Sequence, residues 1–426
     1  MTTSIPPSLD HEIASPWSGV SELMFLYGGA LFLFLILAER LINVPVFKPY
    51  RVVGALLLIA AACTGRLRLD PVMRFAWVGL LYACVLALPP ALGDAASANA
   101  AWNAAALYAF GLTTFMVVVA MPRSGFSGLL LVLVIGALLN AVVILSGNGR
   151  VLSASTGLRY AGLFKNPTLA AFALALGAMA LLYLGQRPLG SMSLWLRRLC
   201  STALLVVLAM AMIRTGSRIG LIATVVAAIV YAALRQGGLR WLLLALVVAV
   251  AGLTTSANLR QQVSVAAARF QEKFAEGTDV RIYLWQSGIE ALADSEGLGL
   301  GIGQYRVNHE HYFANKQFAK RSLYNGKFDL HSDLVAHLVE HGVIGFAAFV
   351  AVLGWLIYAV RRAPPERRGF LASLWILMVT TGTLHQMSYS ALYWIAAGLI
   401  VLGAQHSDAA AFGRPATGSQ IKGHEK

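Results

Sequence analysis

Charged residues are few. Only 12% of the 426 residues are Asp, Glu, Lys or Arg, against 58% hydrophobic. That balance excludes a soluble globular protein, whose surface must carry far more charge. Cysteine is sparse too. Cys63, Cys84 and Cys200 lie in or beside apolar runs and form no CxxC and no disulfide framework. Acidic residues are never spaced as a chelate. There is no acidic pair and no DxD-like motif, so metal independence and the absence of any cofactor are expected. Residues 1–20 lack a basic n-region, so no cleavable signal peptide is expected and the first apolar run serves as the insertion signal. No internal repeat is visible. The net charge of +14 is not interleaved with aromatic residues as a strand-binding surface requires, which excludes nucleic acid as a partner.

What the chain does have is long uncharged runs. About twelve recur, including 21–39, 72–90, 101–121, 167–185, 240–255 and 335–360; those at 50–64 and 199–213 are short. Runs of about 20 apolar residues cross a bilayer as helices, which satisfy their own backbone. The expected fold is therefore an all-α polytopic membrane protein of about 12 transmembrane helices. Residues 1–255 form a first bundle of about nine helices, 256–330 an extramembrane helical loop, 331–404 about three more helices, and 405–426 a tail.

Twelve spans place both termini on one side. With that side cytoplasmic, the inner loops and tail carry more Lys and Arg than the short outer loops. This is the bias the positive-inside rule demands, and the long 256–330 loop has little weight in it. The loop then faces the periplasm. Arg214 and Arg218 in "RTGSRIG" gain nothing topologically from an outer position. They either snorkel to headgroups or answer another demand.

Within the outer loop, "SANLRQQVSVAAARFQEKF" has apolar residues at helical spacing and reads as an amphipathic helix. "GTDVRIYLWQSGIEAL" opens on a Thr-Asp cap signal and carries Arg281 in its first turns. Gly297, Gly299, Gly301 and Gly303 then alternate. This is no dinucleotide fingerprint, because the third glycine is missing and no strand precedes it. Such glycines permit close backbone approach to a ligand or to another segment.

"HSDLVAHLVEHGVIGF" concentrates ionisable residues at the mouth of an apolar run, where they are expensive unless functional or paired. His337, Glu340 and His341 match the H-x-x-E-H zinc signature. The match is short, lacks a third ligand downstream and runs directly into a membrane span, so a zinc site is not expected. Helical projection from His331 puts Val335, Leu338, Gly342 and Gly345 on one seam, where the glycines admit a neighbouring helix. Asp333, His337, Glu340 and His341 fall on another face, as a polar ladder would. His331 lies near the helix start, with Asp329 or Ser332 as cap. The helix dipole there favours a neutral imidazole, the form a general base needs, whereas a neighbouring pyrophosphate would pull the other way.

These segments, in this order, resemble the bacterial O-antigen ligase family. His331-Ser332 with Gly342 and Gly345 is similar to the family's His-containing segment, and Ser217-Arg218 to its Ser-Arg at the outer end of a span. Arg281 and Trp285 match an Arg-x-x-x-Trp segment followed by glycines, and "GLRYAGLFKNPTLAA" its Arg…Gly-x-Phe-x-Asn-Pro stretch, with Arg159, Gly162, Phe164, Asn166 and Pro167. His337 and His341 have no counterpart in the pattern. The resemblance implies a GT-C-like inner-membrane glycosyltransferase with its active site at the periplasmic face. Its donor would be O-antigen on undecaprenyl pyrophosphate and its acceptor lipid A–core, in lipopolysaccharide biosynthesis. It implies His331 as the catalytic base and Arg218, Arg281, Arg159 and Arg214, in that order, at the donor pyrophosphate. O-antigen polymerases and protein O-oligosaccharyltransferases share the resemblance. A flippase or transporter is a different class; the middles of the spans, almost free of ionisable residues, speak against it.

Overall fold

The computed structural model describes residues 17–38, 48–66, 94–153, 157–187, 193–235, 264, 280–312 and 329–405. The apolar runs at 72–90 and 240–255 and almost all of the 256–274 segment lie outside them. The described chain contains twelve α-helices: α1 (Trp17–Leu37), α2 (Pro49–Cys63), α3 (Ala95–Val119), α4 (Phe126–Leu145), α5 (Pro167–Leu184), α6 (Leu194–Thr215), α7 (Arg218–Ala233), α8 (Val280–Asp294), α9 (Tyr305–Tyr312), α10 (Asp333–Arg362), α11 (Pro365–Leu384) and α12 (Ala391–Ala404). Six helical stretches, corresponding to α1, α3, α4, α5, α6 and α10, are long and apolar enough to cross a bilayer; α2, α7 and α12 are shorter apolar helices. The chain is a polytopic membrane protein. The run at 199–213 proves longer than its apolar core, because α6 begins at Leu194, where the Ser193 hydroxyl caps the Leu196 N–H.

The described fold is all-α apart from one small element. Strands β1 (Arg150–Ser153) and β2 (Gly157–Tyr160) form an antiparallel hairpin between α4 and α5, with Val151 opposite Arg159. Four-residue strands are too short for an alternating pattern to show.

Polar residues stop and start the helices at one end of the bundle. Asp94 caps α3, Asn166 caps α5 with Pro167 at its first position, Ser217 caps α7, Ser332 caps α10 and Ser390 caps α12. At the opposite end, Ser124 donates to Glu22 at 2.7 Å and Arg123 to Gln405 at 3.1 Å. The start of α1 and the end of α12 therefore share that far end. Helix α5 is buried on nearly all sides, as a helix apolar all round should be. It lies close to α4: a Cβ on Gly177 would come within 2.2 Å of the Ala137 Cβ. Ile222, Val225 and Ile229 on α7 form an outward apolar stripe suited to lipid.

Helix α10 is broken. Gly342 has φ 66° and ψ −172°, a conformation open essentially to glycine alone. The alternating glycines explain why the break is tolerated. Leu300 N–H donates to the Val339 carbonyl at 2.9 Å and Gly301 N–H to the Glu340 carbonyl at 3.0 Å, while Val343 N–H donates to the Gly297 carbonyl at 3.0 Å. The glycine segment thus completes the hydrogen bonding that the broken helix forgoes. All four glycines have positive φ, and a Cβ on Gly299 would meet the Gly342 nitrogen at 2.4 Å. The partner of the small-residue seam is this strap together with α8, whose Gly288 faces Leu330, Val335 and Val339.

Candidate active site

Helix α10 starts two residues later than the helical projection from His331 requires. Ser332 is its cap, accepting from Val335 N–H at 3.4 Å. His331 precedes the cap with φ 52°, in the left-handed region. For a residue other than glycine this conformation costs about 1–3 kcal/mol and persists only when its surroundings impose it. Trp285 helps to impose it: its indole N–H donates to the Leu330 carbonyl at 2.9 Å. Leu330 itself is buried against Leu284, Ala336 and Val339. Behind it Tyr305 and Ser287 share a 2.6 Å hydrogen bond, and burial pushes the Tyr305 hydroxyl up to about 12. Asp329 is not the cap; it pairs with Arg306 at 3.8 Å.

His331 has a companion that the sequence reading missed. The His385 ring lies parallel to it, with centroids 5.5 Å apart and planes 15° apart. His385 follows the last residue of α11. Burial first, and then His331, Arg281 and Arg159, make its imidazole hard to protonate, pushing it down to about 3. Asn166 reaches His385 Nε2 at 3.5 Å. No local motif ties His385 to His331; only the tertiary fold brings them together.

The four arginines differ in their surroundings. Arg159, on β2, donates to the Thr215 carbonyl at 3.3 Å and the Gly216 carbonyl at 2.9 Å. Those residues form the turn that ends in Arg218, the first residue of α7. Arg159 and Arg218 are thereby held at one turn, and both are half-buried. Arg281, half-buried in the first turn of α8, acts with Arg159 electrostatically on His385. Arg214 is committed elsewhere. It donates to the Ile144 and Leu145 carbonyls at the end of α4 and lies 5.1 Å over the Tyr160 ring.

Beside the two histidines lies a cavity of about 620 Å³. His331 and His385 belong to its wall, and none of the four arginines does. Lys48, Arg51 and Arg306 supply positive charge, Asp329 and Glu340 carboxylates, and Asn99, Asn103 and Asn166 amides. Such a lining suits a polar, anionic, hydroxyl-rich group.

Of the remaining polar residues of α10, Glu340 shares the cavity wall with His331, and Asp333, His337 and His341 are buried. Asp333 Oδ1 accepts from the Met387 and Ser388 N–H groups, each at 2.8 Å. His337 Nε2 lies 3.1 Å from the Tyr108 hydroxyl, which is 3.2 Å from Ser388 Oγ. Tyr389 donates to Glu340 at 2.7 Å. The His337 and His341 rings stack on each other, and Phe349 stacks on His337 at 3.9 Å. Glu340 and His337 thus engage different tyrosines. Among the described residues no cluster of His, Cys, Asp and Glu is arranged to hold a metal ion.

Fold and site together define a multi-pass membrane protein that gathers histidines and arginines at one end of its helices. Residues 203–350, from within α6 through the first half of α10, match the O-antigen ligase family model, and the chain carries a domain of that family over them. The family is of O-antigen ligase/polymerase type, comprises membrane enzymes that transfer glycans, and implies lipid-linked glycan substrates. The matched stretch contains Arg214, Arg218, Arg281 and His331; it leaves out Arg159, Asn166 and His385. No curated protein matches the chain significantly.

Proposed function

We propose that this protein is an O-antigen ligase of the bacterial inner membrane, working at the periplasmic face. It transfers O-antigen from undecaprenyl pyrophosphate to lipid A–core oligosaccharide, with inversion and without a metal or cofactor. The observation that carries this reading is the position of His331. It lines a cavity with a saccharide-compatible lining and stacks on His385, on which Arg281 and Arg159 act electrostatically.

The donor pyrophosphate lies toward Arg218 and Arg281, with Arg159 beside them. Their planar forks suit phosphate oxygens and stabilise the charge that grows on the leaving group. Arg214 acts at one remove, by fixing the hairpin that presents Arg159. The acceptor sugar enters from the cavity. His331 takes the proton of its hydroxyl as the oxygen attacks the anomeric carbon. The bond from that carbon to the pyrophosphate oxygen breaks, and undecaprenyl pyrophosphate departs with the electron pair. Attack opposite the leaving group inverts the carbon. The glycan–pyrophosphate bond is already activated, so no nucleotide is required.

Purified protein reconstituted with lipid-linked O-antigen and rough lipopolysaccharide tests the reading. Ligated lipopolysaccharide is expected, and it should persist in the presence of a chelator. Longer lipid-linked chains would make the protein a polymerase, and transfer to a pilin-like protein would make it an oligosaccharyltransferase. Movement of donor across the bilayer with no new glycosidic bond would make it a transporter.

A further inference from the structure

Asn166 and His385 both stand outside the matched family domain, and the order of their hydrogen bonds fixes a proton. Asn166 Oδ1 accepts from Thr168 N–H at 2.7 Å as the cap of α5. Its amide nitrogen is therefore the atom that faces His385 Nε2 at 3.5 Å. Flipping the amide would set an NH₂ group against the Thr168 N–H and break the cap. Facing a donor, His385 Nε2 must accept, so the ring's one proton sits on Nδ1. An imidazolium would set N–H against N–H here, beside two arginines.

A second connection sets the two rings in register. Asp333, two residues after His331, accepts from the backbone of Met387 and Ser388, two and three residues after His385. One carboxylate thus ties the loop of each histidine to the other, and the rings meet in parallel. Trp285 secures the same backbone from the opposite side through Leu330.

We propose that His385 is a positioning residue for His331: a neutral imidazole, oriented by Asn166, whose face holds the His331 ring in the plane from which it receives the acceptor proton. His385 itself neither gains nor loses a proton. This role rests on the ligase reading for its chemistry, but the contact between the rings does not.

Three variants test it in the full-length protein: His385→Ala, His385→Phe and Asn166→Asp. Phe keeps a flat ring without nitrogen. Asp keeps the cap, being as good a cap residue as Asn, but offers an acceptor to Nε2 and lets His385 hold a second proton. Transfer kinetics should show kcat about tenfold or more lower in His385→Ala with the donor KM unchanged, since a misplaced base removes stabilisation made only in the transition state. His385→Phe should recover most of that loss, and Asn166→Asp should be impaired like the alanine variant. Independently of any glycan, diethyl pyrocarbonate should modify His331 several-fold faster in His385→Ala than in the natural protein or in His385→Phe, as read by mass spectrometry. Equal rates in all three would overturn the contact. If His385→Phe is as inactive as His385→Ala while its modification rate is natural, His385 acts through its nitrogens and the positioning role is wrong. If the modification rates behave as expected but the natural protein ligates nothing, the ligase reading has failed and the ring contact stands.

Discussion

The described residues include two stacked histidine pairs, and they are built differently. His337 and His341 come from adjacent turns of one helix, with ring centroids 4.8 Å apart, and both are buried, against Phe349 and Tyr108. His331 and His385 come from segments 54 positions apart in the chain and form part of a cavity wall. Ring contact is common to both, so stacking does not mark function. Access does. A base must reach a substrate proton through no more than a hydrogen bond or one water, and among these four rings only the second pair lines the cavity. The sealed pair belongs to a network that joins α10 to Tyr108 on α3 and Ser388 in the α11–α12 loop. The open pair lies where that network has already fixed the backbone.

The comparison breaks most decisively at His331. His331→Ala should reduce ligation by about 10²–10⁴-fold, the usual contribution of a general base, while the protein still accumulates in the membrane and still binds lipid-linked donor. A well-folded His331→Ala protein with natural turnover would move the base elsewhere. Arg281 comes next. Arg281→Ala should impair transfer strongly, and Arg281→Lys should also impair it, though less, because the ammonium keeps the charge and loses the fork. Full activity in both would make Arg281 a surface residue.

The sealed pair should respond in stability. His337→Ala leaves the buried Tyr108 hydroxyl short of a partner, which costs about 1–3 kcal/mol, and His341→Ala removes a buried ring packed on His337 and Tyr108. Thermal unfolding in detergent should therefore shift downward. Activity per folded molecule should stay within about tenfold, a barrier change of roughly 1.4 kcal/mol. Loss of turnover in either variant without loss of fold would reverse the assignment of the two pairs. The smallest effect belongs to Arg214. Its bonds run to the end of α4, so Arg214→Lys should change transfer by about threefold at most, roughly 0.6 kcal/mol. A loss as large as that of Arg281→Lys would place it at the donor after all.

Much of the fold could be read from the sequence because membrane helices announce themselves by composition. The apolar runs and the need of the alternating glycines for a close partner were legible locally, and the cap of α10 was narrowed to Asp329 or Ser332. The identity of that partner was not, since Gly342 looks like one more small residue on a helix until its φ is known. The same local view put His331 on the helical seam. A left-handed residue just before the cap breaks the periodicity on which helical projection depends. His385 left no sequence signal, because its contacts with His331 and Asn166 are tertiary. The resemblance ranks Arg218 above Arg214 in "RTGSRIG", but the hydrogen bonds of Arg214 to the end of α4 were not legible there.

The strap across the break in α10 makes two distant stretches of sequence answerable to each other. A buried carbonyl left unpaired costs about 1–3 kcal/mol, and Leu300 and Gly301 supply the N–H groups that Val339 and Glu340 accept, while Val343 returns its own N–H to Gly297. Neither segment can therefore change alone. A side chain at position 299 would strike the Gly342 backbone, and displacing the strap would release both carbonyls of α10 at once.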